Sequence, residues 1–214
     1  MTSRTCIWRG FAPVLAVFAA SIAVAARAAV YTVPSGDTLV VTDANVADYS
    51  GGITFADSTG VVEFNTSSAP TMDITGNGTV KKTSSSAWTM SKAISNFKGN
   101  YELGGNSVVS VGIRYAFGHD SDTKGPYSVT VLDGSTLVIS ASDGGTLNYR
   151  MLVLNGKGVN GRGAVEVAAS SSGVDAMRSI RLDSDTRIGF LNNKYIFVAI
   201  TGKGIDLNGH VLEC

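Results

Sequence analysis

The residues of this sequence that could carry out chemistry are concentrated between Gly173 and Gly189, the most charged segment of the chain. Its charged residues are Asp175, Arg178, Arg181, Asp183, Asp185 and Arg187. Side chains two residues apart lie on one face of a strand, so the last four are expected to form an exposed ladder of charges. Carboxylates paired in a groove could act as general acid and base on a polysaccharide. A solvated strand face with cross-strand ion pairs is the interpretation that we expect, and it assigns no catalytic residue.

A second candidate for chemistry is the segment RYAFGHDSDTKGPY at residues 114–127, which interrupts the apolar pattern. Such an insertion is expected to be a surface loop, and loops carry function more often than scaffolds do. Asp120 and Asp122 could contribute to a Ca2+ site, but this ion needs several oxygen ligands, and no third and fourth carboxylate follow at loop spacing. The sequence therefore predicts a solvated corner and no metal-binding residue.

Other catalytic and cofactor signatures are missing from the sequence. The two histidines, His119 and His210, belong to no Ser–His, Cys–His or zinc-ligand pattern. The motifs GNG, GKG and GRG lack the strand-to-helix context of a phosphate-binding loop. We therefore expect no cofactor-binding residue, no cofactor and no enzymatic activity.

Glycine-rich corners divide the chain into short apolar segments that are typical of strands. Between residues 73 and 112 the corners read GNG at 76–78 and GGN at 104–106, and these residue types accept a positive φ. The apolar segments between the corners are too short for a helix of ordinary length. Each is therefore predicted to be a strand about as long as one side of a coil.

A motif of an apolar residue, any residue and glycine recurs along the chain. It begins at Ile74, Leu103, Leu132, Leu154, Ile200 and Leu207. The first four spacings are 29, 29, 22 and 46 residues, which fits a solenoid if one copy in the last interval is degenerate. Stacked coils bury a continuous apolar column, which one coil cannot do alone. The prediction is an all-β fold, a right-handed parallel β-helix or β-solenoid. Its predicted interior column consists of Ile74, Val80, Leu103, Leu132, Leu154 and Ile200.

Residues 76–105 resemble the strand repeat of bacterial autotransporter passengers. That repeat reads Gly-x-Gly-x-Leu, Lys, a small corner, an apolar strand, x-Phe/Tyr-x-Gly and an apolar-x-x-Gly turn. The matching positions here are Gly76, Gly78, Val80, Lys82, Ile94, Phe97, Gly99, Leu103 and Gly105. Val80 replaces the usual Leu, and Trp88 falls within a corner that is normally small. The stretches LNGKGVNGRGAVEV from Leu154 and GIDLNGHVLE from Gly204 are also similar to phrases common in such passengers.

The resemblance implies an exported, non-enzymatic β-helix at the cell surface, associated with the outer membrane or outside the cell. Its outer faces would display loops for adhesion or interaction, or serve a structural role. The alternative is a carbohydrate-active β-helix enzyme, a polysaccharide lyase or hydrolase, which would line a groove with carboxylates from neighbouring turns. A third interpretation is an antiparallel β-sandwich that binds carbohydrate, which would have hairpins and a row of exposed aromatic side chains.

Residues 1–29 have the features of a secretory signal peptide. A charged leader with Arg4 and Arg9 precedes an apolar run over residues 11–26, and the sequence ARA at 26–28 is a small-x-small cleavage site. An uncleaved membrane anchor is the alternative, but a span needs roughly 20 apolar residues, more than this run provides. The sequence therefore predicts export and removal of residues 1–29.

Charge and cysteine content restrict the partners of the mature chain. The 17 basic and 17 acidic residues of the whole chain become 14 basic and 17 acidic after loss of residues 1–29. Nucleic acid is not expected as a partner, because phosphate neutralisation needs a clustered basic face and these basic residues are scattered. Cys214 would be the sole remaining cysteine, so stability must come from stacking and not from an internal disulfide.

The mature chain is expected to form one domain with two parts. Residues 30–68 alternate short strands with polar turns and would cap the first open edge. Their predicted strands are Tyr31–Val33, Thr38–Thr42, Ile53–Phe55 and Val61–Phe64. Residues 69–214 are assigned to the β-solenoid coils. Within them the segment SVTVLDGSTLVIS from Ser128 is predicted to be a hairpin-like pair with one buried and one wet face. Its inward residues would be Val129, Val131, Leu137 and Ile139.

The last ten residues, IDLNGHVLEC, read as a strand, a turn and a strand without a polar cap. The barrel of amphipathic strands that serves autotransporters as a translocator is also missing after Gly189. We therefore expect either a fragment of a longer passenger or a secreted piece that associates end to end, with the thiol of Cys214 at the open edge. Expected partners are cell-surface or extracellular macromolecules, glycans among them. Contact with a membrane is expected only through the missing translocator.

Overall fold

The computed structural model describes residues 28–94, 96–113, 115–118, 127–140, 150–168, 174–177, 179–190, 196–198 and 204–214. Within these ranges the chain is almost entirely β, and its helical elements are two short 3-10 turns at Val46–Tyr49 and Val159–Gly161. The prediction of an all-β fold is therefore confirmed. Residues 1–27, which include most of the predicted signal peptide, lie outside the described part of the chain.

The described strands are short, and they include all four that the sequence predicts before residue 68. They are β1 (Tyr31–Val33), β2 (Thr38–Thr42), β3 (Ile53–Phe55), β4 (Val61–Asn65), β5 (Ile74–Thr75), β6 (Thr79–Lys82), β7 (Trp88–Met90), β8 (Asn100–Leu103), β9 (Val108–Val111), β10 (Ser128–Val131), β11 (Thr136–Ile139), β12 (Met151–Gly156), β13 (Val165–Val167), β14 (Val174–Met177), β15 (Ser179–Phe190), β16 (Ile196–Val198), β17 (Ile205–Asp206) and β18 (Leu212–Glu213).

The main sheet contains two rows of parallel strands joined by the long strand β15. The first row runs β2, β4, β6, β8, β10, β12 and the beginning of β15, where β17 also pairs. The second row runs β7, β9, β11, β13 and the end of β15. Because the chain visits the two rows alternately, the sheet curls on itself. This path is compatible with a β-helix or β-solenoid.

β18 pairs in parallel with β15 at Thr186 and Arg187, and two smaller parallel sheets accompany the main sheet. One has the order β1-β3-β5, and the other pairs β14 with β16. Register partners in successive coils lie between 18 residues apart, as for Val62 and Val80, and 30 apart, as for Gly156 and Thr186. The corners and loops differ in length from coil to coil, which explains why the period in the sequence is loose.

Alternate side chains of the two rows point inward and form the core. One inward register line in the first row is Val62, Val80, Tyr101, Val129, Leu152 and Ile180, each at most 1% exposed. The neighbouring line is Phe64, Lys82, Leu103, Val131, Leu154 and Leu182. Stacking thus buries a continuous interior, as predicted for a solenoid.

The prediction of one column beginning at Ile74 is wrong in its register. Ile74, Val80, Leu103 and Leu154 are buried, but Ile74 pairs with Ile53 in the three-stranded sheet, and Val80 and Leu103 lie on different lines. The inward partner of Leu103 is Val131, whereas Leu132, one residue later, is 40% exposed. A shift of one residue moves a strand side chain to the opposite face. Ile200 lies outside the described residues.

The predicted hairpin between β10 and β11 is also wrong. Each strand pairs in parallel with strands of neighbouring coils: β10 with β8 and β12, and β11 with β9 and β13. The inward residues are nevertheless those predicted, because Val129, Val131, Leu137 and Ile139 are all fully buried. The predicted wet face fails at Val138, an outward residue that is only 8% exposed. Strand alternation is the same in a hairpin and in a coil, so it cannot distinguish the two.

Trp88 does not occupy a corner, as its position in the repeat suggested, but begins strand β7 in the core. It is 1% exposed, packs edge-on against Phe64 at 6.0 Å between ring centres, and donates from Nε1 to the carbonyl oxygen of Thr66. The corner glycines behave as predicted: φ is +91° at Gly76 and +78° at Gly105. At Gly105 an added Cβ would lie 2.0 Å from the carbonyl oxygen of Ser84, so the coils approach too closely for a side chain.

The strands before residue 68 lie in the same sheets as the later coils. β2 and β4 begin the first row, and β1 and β3 begin the three-stranded sheet. The capping role proposed for residues 30–68 stays a prediction.

Candidate functional site

The charged segment found in the sequence maps onto β15, which turns a corner of the coil. Residues Ser179–Leu182 and, after a register shift, Thr186 pair with β12, and the last part of the strand, from Ile188, pairs with β13. The side chains alternate as predicted, with Arg181, Asp183, Asp185 and Arg187 pointing outward. They follow the bend of the strand, however, and do not lie in one flat row. Asp175 and Arg178 have no described side chains.

The outward charges of β15 are mostly engaged with near neighbours. Arg181 donates two hydrogen bonds to Asp183, at 2.8 and 3.0 Å, and these bonds hold the pKa of Arg181 above its usual value. Asp185 accepts a hydrogen bond from the backbone N–H of Val211 at 3.0 Å, and its Oδ1 lies 3.6 Å from Nδ1 of His210. The face is exposed and carries an ion pair, but Arg181 and Asp183 belong to the same strand, so this pair is not one of the cross-strand ion pairs that were expected.

The corners between the two rows are stacked by a recurring asparagine contact. The side-chain amide of Asn155 donates to the carbonyl oxygen of Val131, one coil back, at 3.1 Å. Asn208 makes the same contact with Leu182 at 3.2 Å. Both residues stand between Leu and Gly in the sequence. The asparagine of the Leu-Asn-Gly motif therefore hydrogen-bonds a corner to the preceding coil. Leu132 occupies the matching position after β10 and projects into solvent.

These stacked corners form a groove of about 720 Å³, here named the corner groove. Its side chains come from four successive coils: Leu132 and Asp133, then Asn155 and Lys157, then Asp185, then His210. Gly156, Gly158 and Ser184 complete the lining. The groove is open to solvent and is not an enclosed cleft. Because it gathers charged side chains from four coils, it is the candidate functional site of the described chain.

Small residues allow the walls of the corner groove to approach each other. Gly156 has φ +72°, and a Cβ added there would lie 1.7 Å from Oδ1 of Asp133. The carboxylate of Asp133 therefore lies directly over this glycine, and it also accepts the N–H of Gly134 at 2.9 Å. The N–H of Gly156 donates to the hydroxyl of Ser184 at 2.8 Å. These contacts fix the positions of the polar groups along the groove.

The corner groove carries a net negative charge on its own side chains. Asp133 and Asp185 are both exposed, and the side chain of Asp185 is 66% accessible. Two basic side chains line the groove: the ammonium of Lys157 is paired with Glu213 at 2.7 Å, and the imidazole of His210 lies beside Asp185. The groove thus offers carboxylate, amide and hydroxyl groups together with one exposed apolar side chain, Leu132.

Two further cationic side chains lie inside the protein and not at its surface. Lys82 is 1% exposed, donates to the carbonyl and hydroxyl oxygens of Ser84, and lies 5.1 Å from the ring centre of Trp88. Burial lowers the pKa of Lys82 from 10.5 to about 8. Arg150 is equally buried and donates to the carbonyl oxygens of Phe97 and Gly99. Arg150 thus ties its coil to the one two turns back, whereas Lys82 is bonded within its own corner, where the hydroxyl of Ser84 in turn donates to the carbonyl oxygen of Thr66.

Arg150 closes an aromatic cluster in the interior. Its guanidinium lies 5.7 Å from the ring centre of Phe97, which packs edge-on against Tyr101 at 5.2 Å. Burial raises the pKa of Tyr101, and its hydroxyl has no hydrogen-bond partner among the described residues. This cluster is closed to solvent, so its role is structural.

The remaining expectations about chemistry fall partly outside the described residues. His119, Asp120 and Asp122, the residues weighed for a Ca2+ site, are not among them. In the described ranges no group of three or more His, Cys, Asp and Glu residues could hold a metal ion. Cys214 is free and exposed.

Sequence reasoning identified Asp185 as part of a charged ladder but did not predict the corner groove. The signal was present in the motifs at Leu132 and Leu154, because both mark corners that stack on each other in successive coils. Asp133 and Lys157 were not singled out, since only the fold shows that they share one groove.

The described part of the chain contains no helix long and apolar enough to span a membrane. Comparison with protein-family models, with curated proteins and with solved structures found no match to this chain.

Proposed function

We propose that this chain is an exported, non-enzymatic β-helix protein of the autotransporter-passenger kind. It would act at the cell surface, at the outer membrane or outside the cell, through adhesion or interaction with extracellular macromolecules, or in a structural role. The proposal includes a right-handed coil, because connections between parallel strands of one sheet are right-handed in about 98% of proteins.

The observation that carries this proposal is the continuous parallel pairing of the described strands from β2 to β17. Such a stack holds its outward side chains in fixed rows and offers a long surface to a partner. In the first row Glu63, Lys81 and Glu102 are consecutive outward partners, and Lys81 lies 3.1 Å from Glu102. Export is supported by the charged leader, the apolar run and the ARA site at residues 26–28.

A polysaccharide hydrolase is the second candidate, and the corner groove is the observation that favours it. Asp133 and Asp185 stand on corners two coils apart, roughly 10 Å at about 4.8 Å per coil. Inverting hydrolases separate their carboxyl groups by roughly 6.5 to 9.5 Å. A general acid must keep its proton near neutral pH, which enzymes achieve by burying the carboxyl group. Both carboxylates here are in contact with water, so we prefer binding to catalysis.

Expression of the full chain in a Gram-negative host tests export. Exported protein should begin at Ala29 or Val30 by N-terminal sequencing. Leu15→Arg, within the apolar run, should keep the protein inside the cell, and Ser3→Ala, before the run, should not. Recovery of intact Met1 in the membrane fraction would contradict export.

Binding and product-release assays on the exported protein distinguish an adhesion protein from an enzyme. It should bind to extracellular matrix or cell surfaces without generating new reducing ends or unsaturated products from polysaccharides. Release of such products, lost in Asp185→Asn, would replace the proposal by the enzymatic alternative.

A further inference from the structure

The dipeptide Asn-Gly occurs four times in this chain, and its asparagines are Asn77, Asn155, Asn160 and Asn208. In this dipeptide the main-chain nitrogen of the glycine can attack Cγ of the asparagine side chain, because glycine has no Cβ to hinder the approach. The N–Cγ bond forms, the Cγ–Nδ2 bond breaks, and Nδ2 leaves as ammonia with the proton of the glycine N–H. Water then opens the five-membered imide to aspartate or isoaspartate. The reaction needs no cofactor, but the two groups must be free to meet.

From the surroundings of the four sites we infer that Asn160 is a site of self-modification in the folded protein. Asn160 lies in the 3-10 turn Val159–Gly161 between β12 and β13, and its φ is +51°. Its side chain is exposed and makes no hydrogen bond with the described residues. A Cβ built at Gly161 would have no described atom within 4 Å, and the N–H of Gly161 makes only a long hydrogen bond of 3.3 Å, to the carbonyl oxygen of Gly158. The turn can therefore change its main-chain angles and bring the reacting groups together.

Asn155, only five positions away, has the same dipeptide but is held at both reacting groups. Its Nδ2 donates to the carbonyl oxygen of Val131 at 3.1 Å, and the N–H of Gly156 donates to the hydroxyl of Ser184 at 2.8 Å. Gly156 also pairs with Thr186 in the main sheet. Ring closure at Asn155 must therefore break two hydrogen bonds and open the corner of a paired strand.

Asn208 is held at one group only. Its Nδ2 donates to the carbonyl oxygen of Leu182 at 3.2 Å, whereas a Cβ built at Gly209 would have no described atom within 4 Å. We therefore expect Asn208 to react more slowly than Asn160 and faster than Asn155.

Asn77 is protected by packing. A Cβ built at the following residue, Gly78, would lie 2.1 Å from the ring of Phe55, and the carbonyl oxygen of Gly78 accepts the N–H of Asn100 from the next coil at 3.0 Å. The main chain at Gly78 thus lies between two coils and has no room to rotate. We expect Asn77 to be as slow as Asn155.

The reaction changes both the charge and the length of the main chain in this turn. Each event places a new carboxylate two positions before Arg162, whose guanidinium is bonded to Glu166. An isoaspartate linkage also adds one atom to the main chain. The inference is independent of the proposed function, because it needs only the folded chain and water.

The test compares conversion at the four asparagines in the native full chain and in the same chain unfolded in urea, both kept at mildly alkaline pH. Trypsin cleaves after Arg150, Lys157 and Arg162, so Asn155 and Asn160 are recovered on separate peptides. Mass spectrometry measures the conversion of amide to acid on each peptide, and chromatography separates the aspartate and isoaspartate forms. The unfolded chain supplies the rate of each dipeptide without the fold.

In the native chain Asn160 should react within about 3-fold of its unfolded rate, because an open turn costs almost no free energy to rearrange. One hydrogen bond should slow Asn208 by about 2- to 12-fold, and two should slow Asn155 by about 5- to 150-fold. A native rate at Asn160 that exceeds the rate at Asn155 by about 5-fold or more supports the inference. Any smaller ratio overturns it.

Variants separate the protection from the fold as a whole. Ser184→Ala removes the acceptor of the Gly156 N–H and should raise the native rate at Asn155 by about 2- to 12-fold. Ser35→Ala, which removes a hydroxyl bonded to Thr59 at the other end of the protein, is the matched control and should leave that rate unchanged. Circular dichroism checks that each variant is folded.

An intact-protein measurement completes the test. Native protein should separate over time into more acidic species on an anion-exchange column, and Asn160→Gln, whose longer side chain cannot form the five-membered ring, should suppress their formation. Accumulation of acidic species at the same rate in Asn160→Gln would overturn the assignment to Asn160.

Discussion

Lys82 places an ammonium group on an inward register line of the solenoid, between Phe64 and Leu103. The side chain is 1% exposed, and its acceptors are the carbonyl and hydroxyl oxygens of Ser84. Burial penalises the charged form and lowers the pKa of Lys82 from 10.5 to about 8. The folded protein must therefore become more stable as this group loses its proton.

The direction of the effect follows from the protons that each state binds. Between pH 8 and 10.5 the unfolded chain keeps the proton on Lys82 while the folded chain releases it, so the free energy of unfolding rises with pH. Below this window both states are protonated. A full effect over two pH units would be about 2.7 kcal/mol at about 1.36 kcal/mol per unit. Because Ser84 and the face of Trp88 still stabilise the ammonium, we expect about 1 to 2 kcal/mol.

Urea unfolding at one-unit steps from pH 7 to about 10 measures this dependence. Lys82→Met keeps a long side chain without the charge, so the variant should be more stable near pH 7 and should lack the rise. Above about pH 10 the raised pKa of Tyr101 acts in the opposite direction, since the unfolded tyrosine ionises first, and the series stops there. Equal slopes for the two proteins would refute the assignment of a buried, desolvated Lys82.

Two further substitutions test the packing of the coils. Leu103→Ala should lower the free energy of unfolding by about 2 to 5 kcal/mol, whereas Leu132→Ala should lower it by less than about 0.5 kcal/mol because its side chain is exposed. Denaturant unfolding measures both values, and a larger loss for Leu132→Ala than for Leu103→Ala would contradict the register. Gly105→Ala should cost more than about 1 kcal/mol, since the new Cβ would meet the carbonyl oxygen of Ser84 at a φ of +78°. Gly204→Ala, which has open space around it, is the control in thermal unfolding.

The sequence predicts individual strands better than it predicts their stacking. Alternation placed Val129, Val131, Leu137 and Ile139 inward correctly, because side-chain direction is a local property of a strand. Pairing between coils joins residues 18 to 30 apart, and no local pattern specifies that register. Leu132 is an example of the resulting error. The recurring motif of an apolar residue, any residue and glycine predicted that Leu132 lies in the core, but this corner residue is exposed.

The corner groove is formed by this stacking, so it could not be predicted from the sequence. Asp133 and Asp185 are 52 positions apart in the chain. Both line one groove because their corners stack on top of each other, two coils apart. The Leu-Asn-Gly motif can be recognised in the sequence, but the hydrogen bond that its asparagine makes cannot. The contact of Asn155 with the carbonyl oxygen of Val131 shows that the motif ties one corner to the one before it.

In the solenoid described above, the chain climbs by one strand spacing per coil. Val40, Thr130 and Arg181 are outward residues on one register line of the first row, with Val40 four coils from Thr130 and six from Arg181. Spin labels at these positions, in a Cys214→Ser background, should give double electron–electron resonance distances of about 19 Å for Val40 and Thr130, and about 29 Å for Val40 and Arg181. A second distance equal to or shorter than the first would contradict the solenoid.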